Sequence, residues 1–592
     1  MILQSLYSLY ERLRDDPAYE IAPPGYSLQK ISFKVVLRHD GTLFEIQSTR
    51  QDGRPRQLRV LGETKSSGSG LNPRFLWDNT GYMLGFKTGD LKPNRTRSAF
   101  DAFRKLHLEA EKDIDSPAFS AVCSFLKSWS PERAAEYPLL SELSTGFGVF
   151  QIEGETSYVH QDSTIDSWWQ KTTASREEKG QTGQCLLTGE SGFIARLQPM
   201  IKGVMGGKAQ SSLVGFNDPA YESYGKEQAY NAPVAKEAAF GYGAALNALM
   251  DGPMRSKHRF TLGDATIAFW TDRPSLAEDI FVEFAQHGTV SPAPAQDEAL
   301  RKKLEVFLRA LRQGVEAYSD VDQDPDHTNY YMLSLSPNAA RLSVRFFNRG
   351  TVRELLENLR RHYRDMSIER QFGEGAKRPD PEFPPAWMLL QQTARNADDI
   401  PPVLSGPLLR AILTGARYPA GLYTAVIRRI RADRQVNYLR ACVIKGWLVR
   451  NQNQEVSMSL DTERKDPAYR VGRLFAALEK TQVDALGEIN ATIRDRFYSA
   501  ASATPQSVFP LLLRTYQHHL AKLEAGLKVN REKLVQEIVG ALVDFPAHLN
   551  LSEQGLFALG YYHQMQRFFR RKIDAAEVNP QTKETMNGEE ES

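Results

Sequence analysis

Two stretches of the sequence set lysines among small and polar residues. GETKSSGSGLNPRF runs from Gly62 to Phe75, and KGVMGGKAQSSLVGFN runs from Lys202 to Asn217. Small residues let a backbone approach a ligand closely. In the second stretch Lys202 and Lys208 carry charge, Gln210, Ser211 and Ser212 donate and accept, and no acidic residue interrupts. In the first, Lys65, Ser66, Asn72 and Arg74 supply the same chemistry, while Phe75 either packs inward or presents an apolar wedge. That combination suits a phosphate backbone with a base edge beside it. A Gly-rich turn with a solvated lysine accounts for either stretch alone, and Trp77, Tyr82 and Phe86 read as core. Two such stretches in one region weaken that plainer reading.

A third cluster joins Arg428, Arg429, Arg431, Arg434 and Arg440, offset only by Asp433. On a helix it forms either a positive face that follows a phosphate backbone or an ordinary solvated face. Arg567, Arg570, Arg571 and Lys572 flank Phe568 and Phe569 near a helix C-terminus, where basic charge also relieves the macrodipole.

Catalytic motifs fail on inspection. Gly207-Lys208 suggests a phosphate loop, but the motif needs Gly at 202 and Ser or Thr at 209, where the chain has Lys202 and Ala209. Asp320, Asp322, Asp324 and Asp326 start like a calcium loop, yet Pro325 replaces the central Gly and Tyr331 the closing Glu. An acidic turn before a strand explains them better. His160 and Asp162 have no further ligand at metal spacing, and His518 and His519 diverge on a helix. The expectation is no catalytic residue, no metal and no cofactor.

The elements that position these residues can be read from patterning. The chain has 592 residues, 41% hydrophobic and 25% charged, with net charge +2, so any polyanion site is a local patch. Its length leaves room for two to four domains at roughly 150 residues each. Cys123, Cys185 and Cys442 form no CxxC pattern, which fits a reducing cytoplasm. The amphipathic start MILQSLYSLYERLRDD lacks the features of a signal peptide, and no run of about 18 apolar residues predicts a membrane span.

Residues 31–60 alternate like strands, with turn signals at Asp40-Gly41 and Asp52-Gly53. Residues 98–130 and 131–145 read as helical. Strands are predicted at 146–152, 265–270, 330–336 and 342–348, and helices at 237–249 and 298–315. The reading is an α+β chain: a mixed α/β body over 1–370, a Pro/Gly-rich connector over 371–406, a helical bundle over 407–575, and a disordered tail over 576–592. Within the bundle, four helices are predicted from Tyr469 onward.

Several blocks carry a resemblance. MILQSLYSLYERL, NPRFLWDNTGYMLGF, IKGVMGGKAQSSLVGFNDPAYESYGKEQAYNAPV, LSLSPNAARLSVRFF, VGRLFAALEKTQVDALGEINATIRDRFYSAASATPQSVFP and GLFALGYYHQ together resemble the large subunit of type I-C CRISPR Cascade complexes (Cas8-type, Csd family). The resemblance runs from residue 1 to about 566. It implies a non-catalytic subunit that reads the protospacer-adjacent motif in double-stranded DNA, helps open it and holds the displaced strand, while guide RNA reads the target. Implied partners are a crRNA-containing complex with its backbone and crRNA-processing subunits, a small subunit, and a helicase-nuclease recruited in trans. The implied location is the prokaryotic cytoplasm, with no membrane.

The resemblance also implies residue roles. Related subunits approach the motif from the minor groove, where Asn72 can donate and accept. Lys65 and Arg74 would hold flanking phosphates. Lys208, Gln210, Ser211 and Ser212 would form the opposing wall, and Phe75 would unstack the next base pair. The C-terminal bundle resembles the small subunit, and Met458 is the candidate internal start for a separate copy; Met458 as an ordinary connector residue is the alternative. A metal-dependent nuclease using His160, Asp162 or the 320–326 carboxylates, and a scaffold without DNA contact, are the competing classes.

Overall fold

The computed structural model describes the chain except residues 63–69, 144–145, 178–179, 208–210, 217, 280, 283–320, 339–340, 374–375, 488 and 578–592. The predicted helix over 298–315, the carboxylate Asp320 and most of the predicted tail therefore lie outside the described residues. The fold is α+β, with mixed sheets toward the N-terminus and helices toward the C-terminus. It divides into two compact units, Met1–Arg255 with Ser336–Ser343, and Ser256–Leu335 with Val344–Ser592.

The first unit is organised by one long strand, β1 (Tyr26–Leu37). Antiparallel β2 (Leu43–Ser48) pairs with its second half and antiparallel β3 (Arg56–Leu61) with its first. On its other side β1 runs parallel to β5 (Phe147–Ile152), which pairs with the short β4 (Trp77–Asn79). The β1–β5 register shifts between Ile31 and Phe33, so one extra residue sits on β1. Such a bulge re-aims side chains. Ile31 accordingly joins a core with Val60, Trp77 and Val149, while Phe33, Val35 and Leu37 join another with Phe150.

That second core is completed by two helices, α2 (Pro93–Ala110) and α3 (Pro117–Ser128), through Phe100, Phe103, Phe119, Val122 and Phe125. The region read as helical over 98–130 is two helices. Ser116 accepts the Phe119 N–H and Pro117 stands in the first turn, which starts a new helix. The Asp52-Gly53 signal holds: both residues have positive φ, 49° and 76°. The N-terminal helix α1 (Ile2–Leu13) buries Leu6, Leu9 and Leu13, and its Tyr10 meets Phe240 of α4 (Lys236–Asp251) edge-on at 5.9 Å.

The first unit also holds a short antiparallel pair, β6 (Thr182–Gln184) with β7 (Ser191–Phe193). The second unit carries most of a four-stranded sheet in the order β11 (Arg341–Thr351), β10 (Asn329–Asn338), β9 (Ala265–Thr271), β8 (Arg259–Leu262). Phe269, Tyr330, Met332 and Phe346 from this sheet join one continuous apolar core with α5 (Val352–Met366) and all the later helices. Phe383, Leu389, Leu390 and Leu404, from the stretch read as a connector, are buried in it. The helices α6 (Ala420–Asp433), α7 (Tyr438–Gln452), α8 (Pro467–Leu486), α9 (Ile493–Ala501), α10 (Pro505–Leu520), α11 (Ala525–Gly540) and α12 (Leu551–Glu577) follow. Where four helices were predicted from Tyr469 onward, the described residues form five, because Thr492 caps an extra short one.

Helices α8 and α12 touch backbone to backbone. A Cβ added at Gly472 would lie 2.1 Å from the Phe557 carbonyl oxygen, and one at Gly560 2.1 Å from that of Tyr469. A buried ion pair, Arg450 with Asp365 at 2.8 Å, joins α7 to α5, and the guanidinium also donates to the Ala411 carbonyl.

Four of the buried histidines, His107, His160, His362 and His563, are held neutral by desolvation. Burial pulls His107 and His160 down to about 4 and His563 to about 3, from an ordinary 6.5, and His362 lies well below that value. Their folded-state pKa is depressed, so the unfolded chain binds protons first as pH falls. Stability is complete above about 6.5 and drains between 6.5 and 4. Calorimetric melting should therefore show Tm falling as pH drops below about 6.5 toward 5; a flat profile over that range contradicts neutral burial of these rings.

Candidate nucleic-acid interface

Segment 63–69 is clamped at both ends. On the entry side the Gly62 N–H donates to the Gly25 carbonyl at 2.8 Å, and Ser27 Oγ donates to the Gly62 carbonyl at 2.7 Å. The indole N–H of Trp77 crosses from β4 to the Leu61 carbonyl at 2.6 Å. On the exit side the Asn72 N–H donates to the Tyr82 hydroxyl at 3.1 Å and the Arg74 N–H to Asp78 Oδ2 at 3.0 Å.

Phe75 is core, not wedge. It is 3% exposed and stacks on His107 with ring centroids 4.9 Å apart, between Phe119, Trp168 and Trp169. His107 Nδ1 faces the Phe103 carbonyl at 2.7 Å, so Nε2 is left to accept the Leu76 N–H at 2.9 Å. Leu76 itself has φ 63° and is fully buried. The aromatic block behind the loop is therefore its foundation. Asn72 is exposed and Arg74 half-buried; Lys65 and Ser66 lie outside the described residues.

The second Gly-rich segment has an equally fixed stem. Ile201 donates to the Ser211 carbonyl at 2.8 Å and Met200 bridges Ser212. The Lys202 N–H donates to Asn247 Oδ1 on α4 at 2.7 Å, and Asn247 Nδ2 donates back to the Met200 carbonyl at 2.9 Å. Gly203 has φ +78°, and a Cβ there would sit 2.4 Å from the Met250 carbonyl oxygen, so only glycine fits. On the other strand of the stem, Leu342 donates to the Ser212 carbonyl at 3.3 Å.

Two residues expected at the surface here are not. Ser211 is fully buried, with an Oγ that has no hydrogen-bond partner, so it belongs to the stem. Lys202 is half-buried, and desolvation lowers its pKa while Asp251 opposes the shift. Ser212 is half-buried; Lys208 and Gln210 lie outside the described residues. β1 pairs with the strand that leads into the first segment and meets the surroundings of the second through a side-chain contact of Lys30. Tyr26 pairs with Leu61, where the first begins, and Lys30 reaches Asp251, beside Lys202, at 3.4 Å. Those two β1 positions are about 13 Å apart along the strand. Lys30, Asn247 and Asp251 escaped the sequence reading. Only Asn247, polar within the apolar run FGYGAALNALM, left a local signal.

The arginine cluster is smaller than its sequence suggests. Asp433 pairs with both Arg429 and Arg440, and Arg440 is buried. Arg428, Arg431 and Arg434 remain exposed, the last ending α6 with φ 57°. Met458 is 46% exposed. Its carbonyl accepts the Glu369 N–H at 2.8 Å, and it lines a cleft of about 450 Å³ with Lys445, Glu382 and Phe383.

The remaining chemistry-bearing residues are spent on structure. His160 donates to the Arg59 carbonyl and stacks on Tyr158, while Asp162 accepts from Ser116 and the Thr164 N–H. Asp322 accepts from Thr328, Asp324 faces Arg273 and His327, and Asp326 pairs with Arg353. The three cysteines are free and buried. Among the described residues no group of three His, Cys, Asp or Glu is arranged to hold a metal, and no helix is long and apolar enough to cross a membrane.

Compared with known proteins, residues 6–569 match the family model described as CRISPR-associated protein (Cas_Csd1). A comparison with curated proteins found no match.

The clamp makes a prediction about stability. Phe75→Ala should cost about 3–5 kcal/mol in chemical denaturation, as for other buried aromatic truncations. Asn72→Ala, exposed, should stay within about 0.5 kcal/mol of the parent. Equal costs for the two would place Phe75 outside the core.

Proposed function

The chain belongs to the Cas_Csd1 family of CRISPR-associated proteins, subunits of Cascade complexes, and from that premise we propose that it reads the protospacer-adjacent motif in double-stranded DNA. The observation that carries this reading is a pair of Gly-rich, lysine-bearing segments whose flanking residues are each held by hydrogen bonds to the fold. A narrow groove admits such segments because they lack bulk. In the minor groove, base pairs differ mainly by acceptors and one guanine amino group. Asn72 suits that readout, and Lys65 and Lys208 suit the flanking phosphates.

In this reading the chain has no catalytic step of its own. It helps unwind the duplex and leaves sequence recognition to the crRNA of the assembled complex. The exposed Arg428, Arg431 and Arg434 follow the displaced strand. A helicase-nuclease recruited in trans cuts the DNA. The complex, with its backbone, crRNA-processing and small subunits, works in the prokaryotic cytoplasm.

Two experiments test this. In the assembled complex, Asn72→Ala should lower discrimination between motif-bearing and scrambled duplexes by about 1–3 kcal/mol in anisotropy titrations. Lys65→Ala and Lys208→Ala should weaken both duplexes alike and reduce the salt slope by about one each. Unchanged discrimination in the triple variant would end the proposal. Separately, if Met458 starts a second product, a C-terminally tagged gene should yield a short band on immunoblots that Met458→Leu abolishes. Its persistence in that variant assigns the start elsewhere.

A further inference from the structure

Residues 218–231 of the first unit build a small platform out of loop. The Ser223 N–H donates to Asn231 Oδ1 at 2.9 Å. Asn231 Nδ2 donates to the carbonyls of Lys226 and Gln228, at 2.7 and 2.9 Å. The Gln228 N–H donates to Glu222 Oε1 at 3.1 Å, and Arg196 holds the Gln228 side chain at 3.0 Å. At its vertex, Lys226 donates to the Ser223 carbonyl at 3.0 Å and closes a tight turn over Tyr224 and Gly225.

Both vertex residues are left-handed, Tyr224 with φ 54° and Gly225 with φ 67°. Turns of this kind favour Asn, Asp or Gly at both positions. A bulky aromatic there is strained. Burial does not compensate, because Tyr224 is 99% exposed. Strain held by a rigid surround, without packing in return, is the mark of a functional position.

The platform is joined to the second Gly-rich segment. Tyr221 lies under the Arg341 guanidinium, 4.2 Å from its ring centroid, and the next residue, Leu342, donates to the Ser212 carbonyl. We infer that Tyr224 is a stacking post for an unpaired nucleobase beside the duplex held by the two Gly-rich segments. The inference rests on the DNA-binding reading above. An exposed ring on a hydrogen-bonded stalk suits base stacking, which tolerates any sequence because every base has a π-face. Protein contact hot spots instead sit in packed, desolvated patches.

The test uses the full chain with a labelled forked duplex and a blunt duplex of the same paired sequence. Tyr224→Gly and Tyr224→Asn both suit the left-handed turn, so Tm should hold or rise. Each should lose roughly tenfold in affinity for the fork and nothing for the blunt duplex. Tyr224→Phe should keep both affinities. If the parent chain binds neither duplex, the DNA-binding reading falls and takes the inference with it. If the parent binds and the Gly and Asn variants keep its fork preference, the inference alone is overturned. It is equally overturned if those variants keep DNA affinity but lose capture by the crRNA-containing complex, which would make Tyr224 a protein contact.

Discussion

The indole N–H of Trp77 on the Leu61 carbonyl ties the two ends of segment 63–69 together, and the candidate interface depends on that tie. Closing a loop costs chain entropy that must be met by contacts at its base. Here the base is a bond in a core that also contains Ile31, Val60 and Val149. The next layer, Phe75 on His107 and Leu76 on the same ring, extends the foundation. The stem of 200–212 is closed by the Ile201 N–H on the Ser211 carbonyl, while Asn247 holds its entry side at Met200 and Lys202.

Much of the chain's reactive vocabulary is consumed by this framework. Neutral histidines satisfy buried backbone groups, Asp162 and Asp322 terminate turns, and Asp433 quiets two of the arginines. A buried polar group left unpaired costs more than its bond returns when made, and these side chains spend their principal hydrogen bonds within the fold. Aromatic residues divide in the same way: Phe75 and Trp77 are foundation, whereas Tyr224 stands clear of the surface.

In the second unit, close contact rather than polar matching sets the geometry. Gly472 and Gly560 let α8 and α12 meet at backbone distance, and the apolar core runs unbroken from the β8–β11 sheet into the last helix. The compact units divide at residues 255 and 256, away from the composition shift near 371, because the stretch beyond 371 buries its apolar residues in that same core.

By itself the sequence determined the α+β class, strands read at 146–152, 265–270, 330–336 and 342–348 that fall within a residue or a few of those in the fold, the α4 helix and the family, because periodicity, turn residues and long characteristic blocks are local properties of the chain. It also marked the two Gly-rich segments. Only the tertiary structure decided which of their side chains face outward. Phe75 and Ser211 went inward, Arg429 and Arg440 were neutralised, and Lys30, Asn247 and Asp251 joined Lys202 from far along the chain. Burial and pairing are properties of two distant positions at once, and no one-dimensional pattern contains the second position.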